Sequence, residues 1–219
     1  YCWNPRLPSV PFPFRRIKNS TRTGSTEFPA TRTYNMTEND YVLQDLGTLN
    51  SGVTSLTVDG QSTHSIISQG YEGVTLNSGT LSLNNLVNVS GFDGDFINNK
   101  AGSVNIDNSK ISSSLHNENV INLDTTSGKT TTIDGAITGS DGTININQAA
   151  SKTGTVIFNN TVSGNNINQY NGNVNLNKAL TGDYTLSNGT FVSNSDGSIK
   201  FATVEEEEQC ISQIRSALE

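Results

Sequence analysis

The chain has 219 residues, of which 32% are apolar and 15% charged, with one Trp, one Met and a net charge of −7. This length suits one domain, and the low apolar content points to a thin core of Val, Ile, Leu and small residues rather than the thick core of a globular α/β enzyme. The acidic balance argues against nucleic-acid wrapping and against docking on an anionic membrane, and no apolar run approaches a membrane span, so membrane insertion is not expected.

Residues 1–36 hold all five prolines (Pro5, Pro8, Pro11, Pro13 and Pro29), interleaved with Trp3, Phe12, Phe14 and Phe28. Such a segment favours an extended, polyproline-like path, and its aromatics can cover the end of a stacked fold. It is read as an N-terminal arm or cap. The arm is also the basic part of the chain: Arg6, Arg15, Arg16, Lys18, Arg22 and Arg32 stand against Glu27 alone within residues 1–32. Its charge reads as that of a solvated leader, with pairing to the acidic run from Glu205 to Glu208 as the sharper alternative and a basic nucleic-acid arm behind both. The chain opens at Tyr1 without Met or a signal-peptide pattern, which reads as a mature form or an excised fragment. Gly24-Ser25, Glu27-Phe28 and Leu218-Glu219 are dipeptides of the kind that cloning junctions leave.

Residues 37–51 carry Tyr41, Val42, Leu43, Leu46 and Leu49, compatible with one helical turn or with a first strand. From Gly52 a phrase recurs: Gly73-Val-Thr-Leu, Gly102-Ser-Val-Asn-Ile, Gly142-Thr-Ile-Asn-Ile, Gly154-Thr-Val-Ile-Phe, Gly172-Asn-Val-Asn-Leu and Gly197-Ser-Ile-Lys-Phe. Apolar residues alternate with polar ones, as at Leu81/Leu83, Val104/Ile106 and Val174/Leu176, which places one face in and the other out. Short strands restarting at irregular intervals predict a right-handed parallel β-helix over residues 37–203. At roughly 20 residues per coil, residues 52–203 make about seven or eight coils and a rod roughly 35 to 40 Å long. Asn is depleted in ordinary strands, yet here it flanks the inward positions, as in Asn173-Val-Asn-Leu-Asn177. Stacking accounts for it, because Asn tolerates left-handed corners and identical amides one coil apart can form ladders. The rival fold is a β-sandwich of hairpins, since the Asn-Gly pairs at 171 and 188 and the Asp-Gly pairs at 59, 134, 141 and 196 are also good hairpin turns.

Residues 204–219 change character. Thr203 is a suitable N-cap, the acidic run falls in the first turn, and Cys210, Ile211, Ile214 and Leu218 draw an apolar stripe, so an amphipathic C-terminal helix is predicted. Cys2 and Cys210 are the only cysteines, which excludes a CxxC motif, and a disulfide between them requires the arm and the C-terminal helix to fold onto the same end of the rod.

The stretch GTVIFNNTVSGNNINQYNGNVNLNKALTGDYTLSNGTFVSNSDG, residues 154–197, resembles the passenger domains of bacterial autotransporters and related filamentous adhesins. The resemblance is carried by the Gly-Thr/Asn-Val-x-Phe/Leu phrases and Asn-Gly corners across residues 52–201. It implies an exported rod at the extracellular or bacterial surface that binds host surface, matrix, glycan or further copies of itself. The proline-rich arm and the acidic helix depart from that pattern, as does the lack of a barrel with an aromatic girdle.

Catalytic sets are sparse. His64 and His116 are the only histidines, neither lies in HExxH, and both are read as surface or turn residues. Asp93 and Asp95 form the closest carboxylate pair, readable as a weak calcium site but more simply as a Gly/Asp turn, and no Arg lies between Arg32 and Arg215 to serve a polysaccharide lyase. No metal or cofactor is expected. The threonines at 130–132, 161, 181 and 185 are too unevenly placed for an ice-binding ladder, and the sequons at Asn19, Asn35, Asn88, Asn159 and Asn188 are common by chance in so Asn-rich a chain. The expected function is therefore a non-enzymatic adhesin or interaction rod, with self-assembling structural material as the alternative and a glycan-active β-helix enzyme or tailspike segment behind both.

Overall fold

The computed structural model describes residues 31–43, 45–49, 55–194 and 199–201. Alternating residues make short strands, and Gly and Asn at the corners let each strand turn into the next. The first coil runs β1 (Thr31–Asn35), β2 (Asp40–Val42) and β3 (Gly47–Leu49). The second runs β4 (Ser55–Asp59), β5 (Ile66–Ser68) and β6 (Val74–Leu76), and the third β7 (Thr80–Asn84), β8 (Val89–Ser90) and β9 (Asp95–Asn99). The fourth holds β10 (Ser103–Asp107), β11 (Lys110–Ile111) and β12 (Ser114–Asn117), and the fifth β13 (Val120–Leu123), β14 (Thr130–Ile133) and β15 (Ile137–Thr138). The sixth and seventh, β16 (Gly142–Ile146) with β17 (Thr155–Phe158) and β18 (Asn165–Gln169) with β19 (Asn173–Leu176), close through single bridges at Val162 and Leu180. Next come β20 (Asp183–Leu186), β21 (Thr190–Ser193) and β22 (Lys200–Phe201).

First strands stack on first strands in a nine-stranded sheet A, second on second in an eight-stranded sheet B, and third on third in a five-stranded sheet C. Every pairing is parallel. That is the parallel β-helix the alternation predicts, and it overturns the sandwich of hairpins: the Asn-Gly pairs at 171 and 188 and the Asp-Gly pairs at 59, 134 and 141 turn corners between sheets instead of reversing a strand. Eight steps along sheet A make a rod about 38 Å long.

One boundary moves and one ambiguity is settled. Thr31–Asn35, assigned to the arm by its neighbouring prolines, is β1 and pairs with β4 over five residues, and the ambiguous 37–51 segment supplies β2 and β3. The rod thus begins a full coil earlier than the Gly-led phrase. The predicted arm up to residue 30, the C-terminal helix over 204–219, and both Cys2 and Cys210 lie outside the described residues.

The core is two inward columns per long strand. On sheet A, Leu56, Leu81, Val104, Ile121, Ile144, Ile167, Tyr184 and Phe201 stack in register, beside Val58, Leu83, Ile106, Leu123, Ile146, Gln169 and Leu186. Each fully buried Leu, Ile or Val contributes about 1.5–3 kcal/mol, and the contribution repeats at every coil. The end of the stack is aromatic, with the Tyr184 ring 4.4 Å from Phe191 and 5.8 Å from Phe201. Gln169 breaks the apolar column and is fully buried. Its Oε1 accepts the Tyr184 hydroxyl at 2.5 Å, and its Nε2 donates to the carbonyls of Gly172 and Thr190, so no polar atom of the pair is stranded.

Corner chemistry follows the Asn expectation closely. Asn85, Asn108 and Asn147 have φ of 52°, 50° and 53°. These are the left-handed values that Asn accepts at lower cost than most residues. A second use of Asn lies inside. Asn99, Asn117 and Asn165 are fully buried where sheet C turns into sheet A: the Asn99 amide donates to Asn117 Oδ1 at 2.8 Å, and that of Asn117 to Asn165 Oδ1 at 2.8 Å.

Candidate functional site

Three outward features carry hydrogen-bonding or ionisable chemistry, and each arises from the period-two alternation. On sheet A the positions between the inward pairs line up as Thr57, Ser82, Asn105, Asn122, Asn145 and Asn168. Asn122 donates to Asn105 at 2.9 Å, Asn145 to Asn122 at 3.1 Å and Asn168 to Asn145 at 3.1 Å. The adjacent column is Ser55, Thr80, Ser103, Val120, Thr143 and Asn166. A second amide column follows sheet B, where Asn159 donates to Asp134 at 2.7 Å, Asn177 to Asn159 at 2.7 Å and Asn194 to Asn177 at 2.6 Å. The Asp134 carboxyl at its foot also takes the Lys110 ammonium at 3.0 Å. It is held below the ordinary Asp range by hydrogen bonds from Asn159 and Lys110, which outweigh its partial burial. The sequon residues Asn88, Asn159 and Asn188 all sit in such side-chain contacts, with Ser112, Asp134 and Asn171 respectively.

The second feature is an acidic corner after sheet A. Asp59, Asn84 and Asp107 are in register, and Lys152 reaches back from the sixth coil to Asp107 Oδ2 at 2.5 Å and Thr126 Oγ1 at 3.3 Å. Burial pushes the Asp107 carboxyl up despite the lysine, and Asp124 and Asp59 add to the rise. Its Oδ1 is buried without a hydrogen-bond partner. A raised carboxyl favours the protonated form, so its contribution to stability is present at acid pH and falls as pH rises through the folded value. Asp107→Asn should therefore gain stability relative to the parent chain between roughly pH 4 and pH 7, read from urea midpoints at the two pH values; an unchanged difference would refute the burial argument.

The third feature is a four-residue chain on sheet C. In β12, Leu115 and Asn117 point inward, leaving Ser114 and His116 outward. Parallel register sets His116 beside Thr138 of β15, and two residues further along each coil Glu118 and Ser140 meet at the corner. His116 Nδ1 lies 3.0 Å from Thr138 Oγ1 and Nε2 2.7 Å from Glu118 Oε1, while the Ser140 hydroxyl donates to Glu118 Oε2 at 2.5 Å. The Ser140 hydrogen bond, helped by His116, holds the Glu118 carboxyl below its ordinary value against a smaller desolvation effect. An ionised carboxylate only accepts, so Nε2 carries a proton, and in the neutral ring Nδ1 is left to accept from the Thr138 hydroxyl. The side chains of His116 and Glu118 are each about 31% exposed.

The residues singled out from the sequence fare unevenly. His64 stands in the corner after β4, its backbone tied to Gly60 and Val87. His116, by contrast, stands on a strand inside a hydrogen-bonded set, with Thr138, Glu118 and Ser140 that the sequence did not single out. The signal was His-x-Glu at 116–118 and Thr-x-Ser at 138–140, one coil apart. Asp93 and Asp95 lie at the entry to β9, where Asp93 N–H donates to the Tyr71 carbonyl at 3.1 Å. Among the described residues no group of three or more His, Cys, Asp or Glu gathers in a way that could hold a metal ion. Thr131 points inward to accept from Thr125 Oγ1 at 2.7 Å, so Thr130–Thr132 alternates across the sheet instead of forming a patch. No family model, no curated protein and no solved structure matches this chain.

Proposed function

We propose that the chain is a non-enzymatic interaction rod, an adhesin-type solenoid displayed in the extracellular space or on a bacterial surface. The observation that carries this reading is the outward face of sheet A, where two neighbouring columns from Ser55 to Asn168 are Ser, Thr and Asn with a single Val120. Their spacing is set by the backbone and their amides are fixed to one another, so little side-chain entropy is lost when a partner docks. Uncharged donors and acceptors in fixed ranks suit hydroxyl-rich partners such as glycans, or the polar surfaces of host cell and matrix proteins. A net charge of −7 makes nucleic acid a poor partner, and among the described residues no helix is long and apolar enough to cross a membrane.

A panel of cells, matrix proteins and glycans tests the reading. The paired change Asn122→Lys and Asn145→Lys, with circular dichroism unchanged, should weaken any captured partner at least about tenfold by inserting two desolvation-costly charges. A panel without binders, or binding that survives the paired change, would remove the proposal. A second reading is favoured by the same amide columns: Asn ladders on flat parallel sheets are the surfaces that mate in stacked β assemblies, which makes self-association the alternative. Light scattering that stays monomeric at high concentration would exclude it.

A further inference from the structure

We propose that Thr138 is an acyl-accepting nucleophile, activated by His116 and Glu118, which takes the acyl group of an activated ester. Nothing in the rod reading uses these side chains, and they are not part of the amide columns. The three groups stand in the relation that hydroxyl nucleophiles need: a base within hydrogen-bond reach of the hydroxyl, and a carboxylate that orients the base from its far nitrogen. Here those separations are 3.0 Å from Thr138 Oγ1 to Nδ1 and 2.7 Å from Nε2 to Glu118 Oε1. Ser140 anchors the other carboxylate oxygen at 2.5 Å, so Glu118 cannot swing away from the ring without breaking a second contact. Sheet register locks the partners, because His116 pairs with Thr138 through adjacent parallel strands rather than through a loop. The bridge between Ile137 and Val162 places Ser163 one coil beyond Thr138 in the same outward column.

The step balances within these groups. Thr138 Oγ adds to the ester carbonyl carbon and its proton passes to His116 Nδ1, while Glu118 accepts the hydrogen bond from Nε2–H of the imidazolium. Collapse of the tetrahedral adduct breaks the bond to the leaving oxygen, which departs as the alcohol or phenol with the proton from Nδ1. The products are a Thr138 ester and one equivalent of that alcohol, with no change of oxidation state. The partial exposure of His116 and Glu118 leaves the site open to an electrophile from solution.

The test uses the full chain with 4-nitrophenyl acetate, following nitrophenolate release and mapping acetyl groups by peptide mass spectrometry. The expected result is acetylation of Thr138, abolished in Thr138→Val, slowed about 100-fold in His116→Gln and about 10-fold in Glu118→Gln, in keeping with the usual size of general-base catalysis. Because all three side chains face outward, circular dichroism should be the same in every variant. Thr143, an outward threonine on sheet A with no histidine beside it, is the internal control and should remain unmodified. Acetyl groups confined to lysine and tyrosine, equal labelling of Thr143 and Thr138, or an undiminished rate at Thr138 in His116→Gln would each overturn the proposal.

Discussion

Asn117→Ala should lower the unfolding free energy by about 3 kcal/mol, several times the loss expected for Asn122→Ala. The two residues are both asparagines in ladders, one coil corner apart, and differ in where the ladder lies. Asn117 is fully buried and bridges Asn99 to Asn165. Its removal leaves Asn165 Oδ1 without its amide donor and takes one acceptor from the buried Asn99 amide, so the desolvation cost of the stranded groups is felt. Asn122 faces solvent, where water replaces the hydrogen bonds to Asn105 and Asn145, and the loss should stay near or below about 1 kcal/mol. Urea denaturation of both variants decides the matter. Equal losses would mean that the inner relay contributes no more than a surface ladder.

Gly164→Ala carries the second large effect. Gly164 has φ of +64°, and a Cβ there would stand 1.8 Å from the Gly139 carbonyl oxygen and 2.4 Å from its carbon. Both atoms belong to the backbone of the coil below and cannot rotate aside. A left-handed conformation costs an alanine roughly 1–2 kcal/mol, and displacing a packed backbone adds roughly 1–3 kcal/mol. Gly128→Ala separates the two costs, since Gly128 has φ of +73° with no atom within 4 Å of the added carbon. The Gly164 variant should therefore melt well below the Gly128 variant in a thermal scan, and coincident melting would show that the stack yields easily at that corner.

What could be read in advance followed from residues whose role is fixed by their neighbours in sequence. Val104/Ile106 and Val174/Leu176 announce their inward faces within five residues, and the tolerance of Asn for left-handed corners is used at Asn85 and Asn108, each the first residue after a strand. What could not be read depends on the length of each turn of the coil. Register steps of 25 residues from Ser55 to Thr80, 17 from Ser103 to Val120 and 23 from Val120 to Thr143 leave no constant period from which to place one side chain above another. His116 could thus not be set over Thr138, nor Gln169 under the Tyr184 hydroxyl. The first coil was hidden for a different reason: Thr31–Asn35 follows an aromatic and proline-rich stretch whose composition outweighs one five-residue strand.

The amide columns give the rod an electrical direction. Asn122, Asn145 and Asn168 each hand their N–H to the coil before, as do Asn159, Asn177 and Asn194, so the side-chain dipoles add along the surface much as peptide dipoles add along a helix. The buried relay runs the other way, from Asn99 through Asn117 to Asn165, and partly cancels the sum within the core. Each column therefore turns its amide oxygens toward the later coils, and the column of sheet B begins at the Asp134 carboxylate while that of sheet A runs back through Asn105 to Ser82. On sheet A the step past Asn168 falls to Thr185, in register one coil on, and because the column presents an amide oxygen there, only a donor such as that hydroxyl can prolong the ladder.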